Sequence, residues 1–202
     1  MRIYKNISYE TDLRTIRHLQ MLSKPDVSVD DYRNSFYQIG IALGELLNNR
    51  TDCGEGNVML ACASEDADWL AQGVINSISK KDISLAVFWN DRITIDYNNG
   101  IEYSPIIRSY IEPVEKCHTL IIVKSIISTS CVVKNQLLHL IGKIAPEVIH
   151  IVAPVMYKDA EKNLKKEYIP KEVLDFFDRL HDPSIPDDEL FSSKLKIMVD
   201  GA

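Results

Sequence analysis

Apolar residues in this chain either recur at helical spacing or bunch into short continuous runs, and the two patterns alternate. Leu13, Ile16, Leu19, Met21 and Leu22 form a helical stripe behind Thr11-Asp12, a pair suited to capping, and the stretch around Pro25 breaks it. Ser28, with Asp31 three residues on, reads as a capping box. It opens a long helix to about Asn48, carried by Tyr32, Phe36, Ile39, Leu43, Leu46 and Leu47. Past a loop with two glycines, Val58 to Ala63 has the length and apolarity of a buried strand. Ser64-Glu65-Asp66 then stands before a helix with Trp69, Leu70, Gly73, Val74 and Ile78 on its inner face.

Ile83 to Trp89 is a second strand of the buried type. Ile93 to Tyr97 and Ile101 to Ile107, joined at Asn98-Asn99-Gly100, carry the signature of a β-hairpin. Leu120 to Val123 is apolar on both faces. After it come a polar loop, Ser128-Thr129-Ser130, and a helix marked by Val133, Leu137, Leu140, Ile141 and Ile144. Val148 to Val152 is one more strand, helices are expected at Tyr157 to Lys166 and Lys171 to His181, and Leu195 to Val199 reads as a last strand. Strands alternating with helices predict an α/β protein: a mainly parallel sheet flanked by helices, with a hairpin flap and N-terminal helices. The expected domain spans residues 1–182, including helices over 11–49 and a flap over 91–110, with 183–202 as a C-terminal extension behind the proline-rich linker.

Composition narrows the functions. With 46% apolar and 26% charged residues the chain is ordinary for a globular domain, and no apolar run reaches the 18 residues of a membrane span. A net charge of −6 does not indicate nucleic-acid binding, which needs a dense cationic face. Lys158, Lys162, Lys165 and Lys166 are the best candidate for a local basic patch and read first as a solvated helix face. Cys53, Cys62, Cys117 and Cys131 show neither disulfide nor metal-ligand spacing, so free thiols in the cytoplasm are expected. The five histidines are scattered, and Trp69 and Trp89 are expected to pack in the core or under the flap.

The strand, polar loop and helix start at residues 119–133 would present backbone N–H groups and a positive dipole end to an anion. In that setting the order of elements resembles the type I phosphoribosyltransferase fold, and within it the uracil phosphoribosyltransferases. The resemblance rests on Asp12 to Leu47, with Asp31-Tyr32-Arg33 opening the long helix and Ile39-Gly40-Ile41-Ala42-Leu43-Gly44-Glu45 closing it. It rests also on residues 119–133, in the place of the phosphoribosyl-pyrophosphate loop, and on Ile149-His150-Ile151-Val152-Ala153-Pro154. It implies a nucleotide or phosphate ligand held by Lys124, Ser125, Ser128, Thr129, Ser130 and Cys131, with Ser64, Glu65 and Asp66 standing where the pyrophosphate loop should be.

The chemistry departs from that family at several points together. Lys124 and Ser125 replace the two acids that hold the ribose hydroxyls, and Ser130 and Cys131 stand where glycines are usual. Glu65, Asp66 and Asp68 put carboxylates where pyrophosphate would sit; each like-charge pair at about 4 Å costs roughly 4 kcal/mol at an effective dielectric near 20. Arg92 is a displaced counterpart of the flap arginine. The resemblance with these departures implies a non-catalytic protein, without catalytic residues, metal or cofactor. It would sense a nucleotide or bind other protein subunits in a larger assembly, bacterial antiviral systems such as retrons among them. The alternative is an enzyme with altered chemistry, in which Glu65, Asp66 and Asp68 hold Mg²⁺ or act as acid and base and Cys131 is a nucleophile. A homodimer through the long helix and the flap is the third expectation.

Overall fold

A computed structural model describes residues 9–48, 56–79, 82–91, 93–96, 101–127, 131–157 and 198–200. Two helices lead: α1 (Tyr9–Leu22) and α2 (Val29–Asn48). The capping expected of Ser28 is present, its Oγ accepting the Asp31 N–H at 3.1 Å while its hydroxyl donates to the Asp31 carboxylate at 2.8 Å. The strands β1 (Asn57–Ala63), β2 (Ile83–Asn90), β6 (Cys117–Val123), β8 (Val148–Val152) and β10 (Met198–Asp200) run parallel. With β5 (Ile106–Ile111), antiparallel on β2, they form one sheet in the order β10-β8-β6-β1-β2-β5. The α/β architecture with its mainly parallel sheet is therefore as the periodicity implied.

Alternation along the central strands builds two cores. Met59, Ala61, Leu120, Ile122, Ile149 and Ile151 face α5 (Cys131–Ile144) with its Val133, Leu137, Leu140 and Ile141. Val58, Leu60, Cys62, Ile121, Val123 and Val152 face the opposite way, toward Ile39, Leu43 and Leu47 of α2 and toward Leu70 and Val74. Burial on both faces explains why these strands read as unbroken apolar runs.

The helix after β1 is irregular. Ser64–Asp66 form a first turn, α3; Ala67–Ala71 are a π-helical turn; Gln72–Ser77 complete it as α4. Ser64-Glu65-Asp66 thus belong to the helix and do not precede it. Burial along it runs Asp66, Leu70, Ala71, Val74, and Trp69, expected on the inner face, is 41% exposed. Trp89 on β2 is exposed as well, so the expectation of two packed tryptophans fails. α2 lies backbone-to-backbone on this helix through glycines. A Cβ on Gly40 would stand 2.2 Å from the Leu70 carbonyl oxygen, and one on Gly73 2.2 Å from that of Tyr37. Larger side chains would force the helices apart. The apolar stripe of α2 along Ile39, Leu43 and Leu47 is thereby core.

The flap is shorter than expected. β3 (Ile93–Asp96) pairs with β4 (Ile101–Tyr103), Ile93 opposite Tyr103, but the chain then leaves the hairpin at Ser104-Pro105 and β5 joins the main sheet. Pro105 has no N–H to continue the flap ladder. A small parallel pair, β7 (Ile126–Ile127) with β9 (Val155–Met156), had no counterpart in the sequence reading. Cys53, Arg92, the hairpin turn, Ser128 to Ser130 and the helices expected after Tyr157 lie outside the described residues.

Candidate functional site

The chain crosses from β1 rightward to β2, then returns to place β6 on the other side of β1. In an open parallel sheet the carboxyl ends of two such strands bound the crevice where ligands bind. β1 ends in the Ser64-Glu65-Asp66 turn, and β6 ends in Lys124-Ser125. Cys62 pairs with Val123, so the residues following each strand come side by side.

An ion triad bridges that crevice. The Lys124 Nζ donates to Asp66 Oδ2 at 2.6 Å and to Glu65 Oε1 at 2.9 Å. The Ser125 backbone N–H donates to the second Asp66 oxygen at 3.3 Å, and the Lys124 N–H to the Val152 carbonyl at 3.0 Å, which ties in the end of β8. Lys124 is 6% exposed and Asp66 3%, whereas the Glu65 side chain is 57% exposed. Burial alone would lower the Lys124 pKa, but attraction to Asp66 and the hydrogen bonds it donates to both carboxylates outweigh it and hold the ammonium above its ordinary value. Such a lysine is neither a nucleophile nor a base at neutral pH. Beneath it, burial first and the Asp66 charge second push the Cys62 thiol up to about 12, so that sulfur is inert.

Two carboxylates and one ammonium leave the triad with a single negative charge. The two acids at the start of this helix are therefore partly offset by a cation from the adjacent strand, where the sequence suggested a repulsive cluster or a Mg²⁺ or acid–base site. Ser64 opens α3 half-buried, Asp68 is exposed, and Cys131 is the half-buried first residue of α5. Lys124, Ser125, Glu65 and Asp66 are brought together. Among the described residues no group of three or more His, Cys, Asp and Glu side chains is placed to hold a metal ion, nor is any helix long and apolar enough to cross a membrane.

On the outer face of the same helix, the Arg33 guanidinium lies 5.4 Å from the centre of the Trp69 ring. With Asp30, Asn34 and Tyr37 these two line a shallow hollow of about 340 Å³. Neither this hollow nor the triad was anticipated. The triad had a signal, opposite charges at the ends of strands that a parallel sheet makes neighbours. The hollow had none, because it forms where α2 residues meet Trp69 from another helix.

No protein-family model and no curated protein matches the sequence. Among solved structures, the AQ2163 protein from Aquifex aeolicus superposes with a TM-score of 0.66 at 10% identity, covering 98% of this chain and 86% of that one. A hypoxanthine phosphoribosyltransferase from Staphylococcus aureus matches with a TM-score of 0.46 at 16% identity, over 63% of this chain and 66% of the enzyme. An adenine phosphoribosyltransferase matches with a TM-score of 0.44 at 11% identity, over 66% and 75%. At 10% identity the likeness to the AQ2163 protein is one of fold.

Proposed function

We propose that this chain is a phosphoribosyltransferase-like protein that does not transfer phosphoribosyl groups and serves in the cytoplasm as a nucleotide-sensing or partner-binding subunit of a larger assembly. A bacterial antiviral system such as a retron is one such setting. The observation that carries the reading is the Lys124 ammonium clamped between Asp66 and Glu65. In the enzymes that the sequence resembles, the strand-end acids face the ribose and the facing loop takes pyrophosphate. Here the corresponding groups have opposite signs and satisfy each other. A pyrophosphate entering the crevice would have to strip a buried carboxylate of its cation, leaving two anions together. Removing one partner from a buried ion pair costs about 3–5 kcal/mol, which the ligand would have to offset before gaining affinity. A phosphate bound at the start of α5 instead would meet the backbone at Cys131. Neither a metal nor a cofactor is needed for such a role, and Mg²⁺ would belong only to an enzymatic version.

The test is incubation of the purified chain with phosphoribosyl pyrophosphate, Mg²⁺ and uracil, hypoxanthine or adenine in turn, following pyrophosphate release. The expected result is no release above background. Release at an ordinary enzymatic rate, about 1 s⁻¹ or faster, would overturn the reading in favour of an active transferase.

A further inference from the structure

Four residues from one stripe of α2, Asp30, Arg33, Asn34 and Tyr37, line the shallow hollow of about 340 Å³ together with Trp69. The two charges in it are opposite and nearly unspent. Arg33 Nη1 stands 4.0 Å from the Asp30 carboxylate, beyond a normal hydrogen bond, and the two side chains are 50% and 96% exposed. An exposed pair of that kind contributes little, so little is lost when a ligand comes between its members. The Trp69 ring, 5.4 Å from the guanidinium carbon, holds Arg33 in place over the hollow. Tyr37 is held as well. Its oxygen accepts from Asn76 Nδ2 at 3.0 Å, and Asn76 Oδ1 accepts in turn from Gln72 Nε2 at 3.1 Å. With that oxygen already serving as an acceptor, the hydroxyl still has its own proton to give.

This set of groups selects a chemistry. A plain anion would find Arg33, the Asn34 amide and the Tyr37 hydroxyl, but with the Asp30 carboxylate beside them. A plain cation would find Asp30 with the guanidinium beside it. A ligand carrying both charges close together satisfies both sides at once. The ammonium and carboxylate of an α-amino acid are separated by one carbon, a spacing comparable to the 4.0 Å between the two protein groups. Its side chain would then lie on the exposed part of the Trp69 indole, which favours an apolar or aromatic body. The volume of the hollow suits one such molecule. We propose that the hollow binds a free α-amino acid with an apolar side chain, its carboxylate on Arg33 and Tyr37, its ammonium on Asp30 and its side chain against Trp69. This holds whether or not the crevice at Lys124 takes a ligand.

Titration of the isotope-labelled full chain with L-leucine and L-phenylalanine in turn tests it, the indole N–H signals being followed by NMR. The chain has two tryptophans, so Trp69→Phe assigns both. The Trp69 signal should move and saturate with a dissociation constant on the order of 1 mM, as suits a ligand of about ten non-hydrogen atoms in an open site. The Trp89 signal should stay where it is. Phenylpropionate lacks the ammonium and phenethylamine lacks the carboxylate, and each should bind roughly tenfold more weakly than L-phenylalanine, or worse, for want of one charged hydrogen bond. Arg33→Gln and Asp30→Asn should weaken L-phenylalanine to the same degree and leave the melting temperature unchanged, since both side chains are exposed. Should either variant melt early, the two analogues decide the matter on the wild-type chain. A Trp69 signal indifferent to both amino acids, analogues that bind as tightly as L-phenylalanine, or an affinity unchanged in both variants would overturn the proposal.

Discussion

Replacing Lys124 by methionine keeps most of the side-chain volume and removes the charge that Asp66 needs. Asp66 is 3% exposed and its remaining donor is the Ser125 N–H at 3.3 Å, so the variant leaves a buried carboxylate with one long hydrogen bond. Orphaning one partner of a buried ion pair costs about 3–5 kcal/mol, and the exposed Glu65 places this case near the lower end, about 3 kcal/mol. For a chain of this size each kcal/mol moves the melting temperature by roughly 2–4 °C, so Lys124→Met should melt roughly 6–12 °C early in differential scanning calorimetry. The same reasoning makes the loss reversible. Lys124→Met combined with Asp66→Leu removes both charges and should recover most of the stability, giving a coupling of about 2 kcal/mol or more in the double-mutant cycle. Two outcomes would refute it: a single variant that melts with the wild type, or two single losses that simply add in the double variant.

Gly73→Ala should destabilise by about 2–3 kcal/mol in urea titration, because its Cβ would meet the Tyr37 carbonyl oxygen at 2.2 Å and backbone cannot give way as a flexible side chain can. Gln136 is fully buried on α5 and neither of its amide atoms has a hydrogen-bond partner, so Gln136→Met should stabilise by about 1–2 kcal/mol in the same assay. At alkaline pH the sign follows from raised pKa values. The folded chain keeps its protons on Cys62, raised to about 12, and on Cys117, raised to about 11, while the unfolded thiols release theirs above 9.0. Stability is therefore full below pH 9 and falls as pH climbs from there toward 12. Cys62 alone contributes a loss of about 4 kcal/mol by the top of that range. Lys124 acts in the same direction above 10.5, so unfolding free energies that stayed flat from pH 8 to 11 would contradict the burial of these groups.

Much of the sheet was legible because each central strand is buried on both faces and therefore reads as an apolar run, from Val58 to Ala63 and from Leu120 to Val123. The capping of α2 was legible for a local reason, Ser28 and Asp31 being neighbours in sequence. What stayed hidden was set by tertiary placement. β5 was read as flap because its residues alternate weakly and Pro105 is a single interruption, whereas its role follows from pairing with β2. Trp69 was placed inside because it is apolar beside Leu70, whereas the buried stripe runs through Asp66, Leu70 and Val74 and leaves it at the edge. Glu65, Asp66 and Lys124 were each singled out as chemistry-bearing, but they stand 59 and 58 residues apart along the chain. Only the register of β1 on β6 reveals that they answer one another.

The most direct measurement is the ammonium resonance of Lys124 itself, followed by heteronuclear NMR with Lys124→Met for assignment. With Asp66 and Glu65 in place, that proton-bearing nitrogen should exchange slowly with water, stay charged as pH passes 10.5, and keep its chemical shift when millimolar inorganic pyrophosphate or phosphoribosyl pyrophosphate is added. A Lys124 signal that titrates below 10.5, or that moves on pyrophosphate addition, would show a cation free to serve a substrate and would contradict the account.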